Sequence, residues 1–256
     1  MKRLLLILAL ALPCWSAITV AHVNGNAGNT LYSCTSPNGC ITFTLTVSAG
    51  DAILVSTDFY ENFTNTISVS DSAGNSWTAT APGNIVNGAD NHQDFYVCNA
   101  KAGSPDTITV TLSGSYSQND TIAGVGFDVT GTASSSCVSA TNSATYSSSP
   151  VTSGTFTINA TDVVIASVSS IYGGTSTAGN IGGSASSIPA NATQHNGNLG
   201  ANLQVEYIVA PTNTSGITAA MSLVGTNSGS MIVTALKASG AVAKTCTMTL
   251  LGAGPC

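Results

Sequence analysis

The sequence predicts an all-β fold: an antiparallel β-sandwich, jelly-roll or immunoglobulin-like, built from two pseudo-repeats of about 110 residues. Three observations carry this. Apolar and polar residues alternate strictly through Ile41–Val47 and Thr107–Ser113, the period of half-buried strands whose Thr and Ser face water. Turn signals such as Ser72-Ala-Gly-Asn75, Pro82-Gly-Asn84, Gly173-Gly174 and Gly182-Gly183 separate these runs, and no segment carries a 3.6-residue period. Strand-like strings of the first half return in the second at an offset of about 109–113 residues.

The first 21 residues read as a secretory leader: Lys2-Arg3, an apolar run Leu4–Leu12, then small residues, with cleavage placed between residues 16 and 21. The apolar run falls well short of the ~20 residues that cross a bilayer, so membrane insertion is not expected. Ile18–Val23 also reads as a first strand, and as a donor strand for self-assembly ahead of a flexible Asn24-Gly-Asn-Ala-Gly-Asn29. Residues 22–133 form the first half, 134–150 a Ser-rich joint, 151–240 the second half and 241–256 a Cys-stapled tail.

Ala52–Val55 and Val163–Ala166 are continuous apolar runs and are assigned to central strands, covered on both faces. Around them the repeat is read directly. Thr42-Phe-Thr-Leu45 with Ile53-Leu-Val-Ser56 returns as Thr155-Phe-Thr-Ile158 with Val164-Ile-Ala-Ser167. Gln93–Val97 returns as Gln204–Ile208, and Ile108–Ser113 as Ile217–Ser222. Two tandem sandwiches and one body with two equivalent halves both fit, the single body being favoured.

Charged residues make up 6% of the chain against about 25% in an average protein. Hydrophobic content of 43% excludes a disordered chain, and the scarcity of Glu, Lys and Arg excludes coiled coils. Without the leader, three lysines face 11 acidic residues, a net charge of 3 − 11 = −8. No arginine follows Arg3, so nucleic acid and anionic membranes are not expected partners.

Six cysteines follow the leader: Cys34, Cys40, Cys98, Cys137, Cys246 and Cys256. An even number in an exported chain points to disulfides, and no C-x-x-C spacing points to zinc. Cys34–Cys40 and Cys246–Cys256 are local pairs, and elimination leaves Cys98 with Cys137; sequence alone leaves other connectivities open.

Asp71-Ser-Ala-Gly-Asn-Ser-Trp-Thr78, Phe95-Tyr-Val-Cys-Asn-Ala-Lys-Ala-Gly103 and the Thr-rich strand to Ser113 resemble a secreted bacterial Ser/Thr/Gly-rich β-sandwich module of surface and multidomain proteins. The resemblance runs to about Gly240, with Trp77 where that module carries Tyr. Its motifs are those of turns and strands, so it implies a fold and an extracellular or cell-surface location, with no established catalytic activity attached to it.

Candidate sites are few. Asp90-x-His92-x-Asp94 places two carboxylates and an imidazole on one strand face, suited to calcium or to a general base, or else to a solvated strand start after the Asn87-Gly88 turn. Cleavage after Ala21 would make His22 the N-terminus. That arrangement resembles the copper brace of lytic polysaccharide monooxygenases, with His92 or His195 as second ligand and Tyr207 axial. Glu61 and Glu206 are the only glutamates; they read as unrelated surface acids or a glycosidase pair. Phe59 and the ligand-binding candidates Trp77, Tyr60, Tyr116 and Tyr172 lie at or near turns, where aromatic rings can stack on sugars.

The expectation is a secreted, non-catalytic module binding carbohydrate or a cell-surface partner, with no resident cofactor. A self-assembling filament subunit and a copper enzyme are the alternatives.

Overall fold

The computed structural model describes residues 13–14, 17–29, 39–60, 66–81, 83–88, 90–114, 121–170, 176–185, 191–193, 202–210, 212–223, 228–240 and 244–245. These form antiparallel strands, and no helix occurs among them. In the first half the strands are β1 (Thr19–Asn29), β2 (Gly39–Val47), β3 (Ala52–Tyr60), β4 (Thr66–Asp71), β5 (Asp90–Val97), β6 (Gly103–Ser113) and β7 (Thr121–Thr130). One sheet runs β1-β7-β3-β5, with Thr78–Ala79 and Ile85–Asn87 alongside β5; the other runs β2-β6-β4.

In the second half the strands are β8 (Val138–Tyr146), β9 (Phe156–Ile158), β10 (Val163–Ser170), β11 (Ser176–Ile181), β12 (Asn202–Val209), β13 (Thr214–Ile217), β14 (Ala219–Leu223) and β15 (Gly229–Leu236). One sheet runs β8-β15-β10-β12 and ends on Asn191–Thr193. Opposite it, β14 pairs with Val151–Thr152 and β11, and β13 pairs with β9. The order of the large sheet is therefore the same in both halves. Within these sheets Phe43 pairs with Ile108 and Phe156 with Ile217, while Ser56 pairs with Asp94 and Ser167 with Val205.

Each half closes around its own core. Phe43, Leu45, Val55, Phe95, Val110 and Ile122 fill the first; Phe156, Val164, Val168, Met221, Met231 and Val233 fill the second. Space for Phe43 comes from Gly126 on β7, where a Cβ would lie 2.7 Å from the Phe43 ring and 2.9 Å from Leu45.

A third apolar cluster lies between the halves and joins Leu54, Val125 and Phe127 to Val163, Ile165, Val205 and Leu236. The two large sheets thus pack back to back, and each half contributes a sandwich to one four-layered body. This is why β3 and β10 are covered on both faces, as their continuous apolar runs predict. Cys98 and Cys137 form a disulfide at one end of this contact, with Cα atoms 5.6 Å apart. Tight connections 48–51, 98–102, 131–137 and 159–162 share that pole, whereas Asn29, Tyr60, Ser113, Ser170 and Gly229 mark strand ends at the other.

Two sequence expectations are corrected. Asn24–Asn29 is the second half of β1, in register with β7, rather than a flexible spacer. Its asparagines are what permit a strand here. Asn24 and Asn26 each accept the next residue's N–H on Oδ1 and donate from Nδ2 to Thr44 O and Thr42 O, stitching β1 to β2. The Ser-rich joint contains β8, an edge strand on β15, whose half-exposed positions suit Ser and Thr. Ile18 is buried and β1 starts at Thr19, inside the 16–21 interval assigned to leader cleavage, in keeping with the reading of Ile18–Val23 as a first strand.

Candidate functional site

The solvated reading of Asp90, His92 and Asp94 fails. All three are at most 1% exposed, because the β5 face carrying them is covered by β10 and β15 of the other sandwich. The contact between the two sheets divides in two. Near the disulfide it is apolar; towards the other pole the same strand faces carry Ser56, Asp58, Asp90, His92 and Asp94 against Ser167, Ser169, Ser230 and Thr234.

Hydrogen bonds run through this polar seam as one chain. Ser169 Oγ donates to Asp90 Oδ2 at 2.6 Å and lies 3.1 Å from Ser230 Oγ. His92 Nδ1 is 3.0 Å from Ser230 Oγ, and its Nε2 is 2.8 Å from Ser167 Oγ. Ser167 Oγ is 3.2 Å from Asp94 Oδ1, and Thr234 Oγ1 donates to Asp94 Oδ2 at 3.2 Å. Beyond Asp90 the chain reaches Asp58, whose Oδ2 accepts the Asn202 N–H at 2.8 Å. Asn87 Nδ2 closes the end, donating to Gly229 O at 2.7 Å.

Burial sets the charges. It pushes the Asp90 and Asp94 carboxyls up to about 6 and Asp58 well above the usual carboxylate range, with the neighbouring Asp90 charge adding to Asp58's rise. It pushes His92 down to about 3, so the imidazole is neutral. Burial likewise raises the Tyr146 hydroxyl, which donates to Ser169 O at 2.6 Å. Asp58 Oδ1 and Asp90 Oδ1 have no other donor among the described residues, and the two carboxyls bond to each other when one holds a proton.

A second cluster sits at the disulfide pole of the first sandwich. His22 on β1 hydrogen-bonds Asp128 Oδ2 at 3.1 Å, and Asp128 hydrogen-bonds Asp51. Burial pushes Asp128 up to about 6, opposed by the hydrogen bond from His22. In the second sandwich Asp162 occupies the turn position of Asp51, but its Oδ2 accepts from Ser139 Oγ at 2.8 Å and Ala235 stands where Asp128 stands. The acid pair is thus peculiar to the first half.

The structure does not bring the proposed metal ligands together. His22 and His92 sit opposite Asp128 and Asp58, and Asp128 in turn pairs with Ile53; that is five β3 positions, or about 17 Å along the strand. Among the described residues no three His, Cys, Asp or Glu side chains are placed to share a metal ion. Glu206 is not a surface acid: it is buried inside the second sandwich and accepts the Gly179 N–H at 3.0 Å. Trp77 is half-buried against the first core, and its indole N–H donates to Asp71 Oδ2 at 2.9 Å. Tyr60 ends β3, while Tyr116, Tyr172, Glu61, His195, Cys34, Cys246 and Cys256 lie outside the described residues.

Ser167, Ser169, Ser230, Thr234 and Asp58 escape a search for catalytic motifs. Their signal is periodic: Leu54-x-Ser56-x-Asp58 and Ile165-x-Ser167-x-Ser169 each turn from apolar to polar on one face of a strand covered on both. Comparison with protein-family models, curated proteins and solved structures gives no match.

Proposed function

We propose that this chain is a non-catalytic secreted β-sandwich protein acting as an extracellular binding or adhesion module for carbohydrate or a cell-surface protein. The observation that carries the reading is the seam. Its His and carboxyl groups, the densest such set among the described residues, are sealed between two sheets and occupied with each other and with hydroxyls. A general base must reach the proton it removes, and here no substrate can approach.

What faces outward suits binding. The outer face of β2, β6 and β4 carries exposed Thr42, Thr44, Ser68 and Ser70 and half-buried Thr109 and Thr111, uncharged groups that hydrogen-bond neutral ligands. Tyr60 stands at the pole where both sandwiches end their long strands. β1, the strand a filament would donate, is paired with β7 of its own chain, which supports the binding reading over the filament one.

The test is binding of the purified chain to a glycan array and to intact cells. Binding to one glycan class or cell type, weakened at least tenfold by Tyr60→Ala and unaffected by Gly240→Ala, supports the reading. Silence on both, together with cleavage of a polysaccharide, overturns it.

A further inference from the structure

We propose that the seam is a proton-dependent clasp: the two sandwiches are fully hydrogen-bonded to each other when Asp94 carries a proton and Asp58 and Asp90 share one, and the clasp loses a bond when Asp94 ionises. Each seam hydroxyl carries a single hydrogen, and their count fixes the direction of every bond. Ser169 has one, and it goes to Asp90 Oδ2. The contact between Ser169 and Ser230 therefore uses the Ser230 hydrogen. With that hydrogen spent, Ser230 accepts from His92 Nδ1, which fixes the neutral ring as the Nδ1–H tautomer. Nε2 must then accept, and its only close donor among the described residues is Ser167. Ser167 has no hydrogen left for Asp94, so their contact is a hydrogen bond only if Asp94 Oδ1 bears the proton. Asp94 Oδ2 meanwhile accepts from Thr234.

Ionised Asp94 reverses the chain. Ser56 and Thr234 donate to the carboxylate, and Ser167, whose oxygen then stands 3.2 Å from a charge, turns its hydrogen to it as well, so His92 donates from Nε2 and accepts at Nδ1 from Ser230. Ser169 and Ser230 then face each other with no hydrogen between them, and a charge is buried beside them. A buried polar pair without its hydrogen is costly. No cation among the described residues relieves it. The titratable groups facing the seam are Asp58 on β3, Asp90, His92 and Asp94 on β5, and Tyr146 on β8. Strands β10, β12 and β15 bring Ser167, Ser169, Ser230, Thr234 and the Asn202 N–H, and no Lys or Arg. Tyr96 and Tyr207 face the apolar end of the same contact. Burial raises the Asp94 carboxyl to about 6, so the changeover falls within the ordinary range of extracellular pH.

The test compares the full chain with its Asp94→Asn variant. An amide at this position donates to Ser167 and accepts from Thr234 at every pH, locking the closed polarity. Neutral His92 has its own linkage of opposite sign, so the quantity to read is the ratio of the two folding constants. From pH 5 to pH 8 the ratio should rise about tenfold in favour of Asp94→Asn. A ratio independent of pH overturns the proposal. If the variant does not fold, nitrogen NMR of His92 in the unaltered chain decides: Nδ1–H at pH 5 and Nε2–H at pH 8 support the clasp, and one tautomer throughout overturns it.

Discussion

His92 Nε2 lies 2.8 Å from Ser167 Oγ, a hydrogen bond between residues 75 positions apart on two different sandwiches. Both side chains are completely buried. Ser167→Ala removes the hydroxyl and leaves the imidazole nitrogen and Asp94 Oδ1 without this partner. The expected cost is about 1–3 kcal/mol, the penalty of an unsatisfied buried polar group. Urea denaturation measures it against Thr109→Val on the outer face of β6, which should stay within about 0.5 kcal/mol of the unaltered chain. Equal effects at the two positions would remove the seam's claim to a stabilising role.

That bond also marks where sequence reasoning stops. Asp90, His92 and Asp94 are correctly predicted to share a strand face, because strand periodicity is local. Whether the face meets water depends on β10 and β15, which lie about 75 and 140 residues further on. A hydrophilic strand face is normally a wet one, and that rule loses here to tertiary covering. The central strands β3 and β10 were legible because continuous apolar runs need cover on both faces. The asparagines of β1 were not, since Asn-Gly repeats signal turns and their side-chain bonds to Thr42 O and Thr44 O depend on β2 being alongside. The pairing of Cys98 with Cys137, read by elimination, is present.

His22 and Asp128 give a pH-dependent prediction with a definite sign. Burial raises Asp128 to about 6, and the His22 hydrogen bond holds it from rising further. A carboxyl raised on folding contributes its stability at low pH and loses it as pH climbs through the folded value. His22→Ala raises that value again, so the loss deepens on the alkaline side. The variant should match the unaltered chain near pH 4 and fall about 1 kcal/mol below it at pH 8, a modest figure because His22 is half exposed. Thermal unfolding at the two pH values reads the difference, and an equal loss at both would show that His22 acts through packing alone.

Gly126 and Phe43 are complementary in shape. A methyl group at Gly126 would stand 2.7 Å from the Phe43 ring, too close to be absorbed without movement. Gly126→Ala should cost about 1–3 kcal/mol by overpacking. Adding Phe43→Leu should return part of that cost, although Phe43→Leu alone destabilises. A double-mutant cycle with strictly additive losses would place the Gly126 effect in the backbone instead.

Asn26 on β1 and Asn142 on β8 perform the same task in the two sandwiches. Each side-chain oxygen accepts the next backbone N–H, and each amide donates to a carbonyl of the opposite sheet, Thr42 O or Thr155 O. The device matters because β1 and β8 are edge strands, and an edge presents unpaired N–H and C=O groups to any passing strand. Occupying those groups within the chain blunts the edge without the lysines that many proteins use, consistent with a chain only 6% charged. Replacing Asn24 and Asn26 together by Ala should free the Gly25 and Ala27 N–H groups and the Thr42 and Thr44 carbonyls, at about 1 kcal/mol for each asparagine. The doubly substituted chain should also self-associate. Light scattering on the column-purified protein should give a mass that rises with concentration for the variant and stays constant for the unaltered chain. A variant less stable but concentration-independent would mean that the asparagines stabilise the corner between β1 and β2 without guarding the edge.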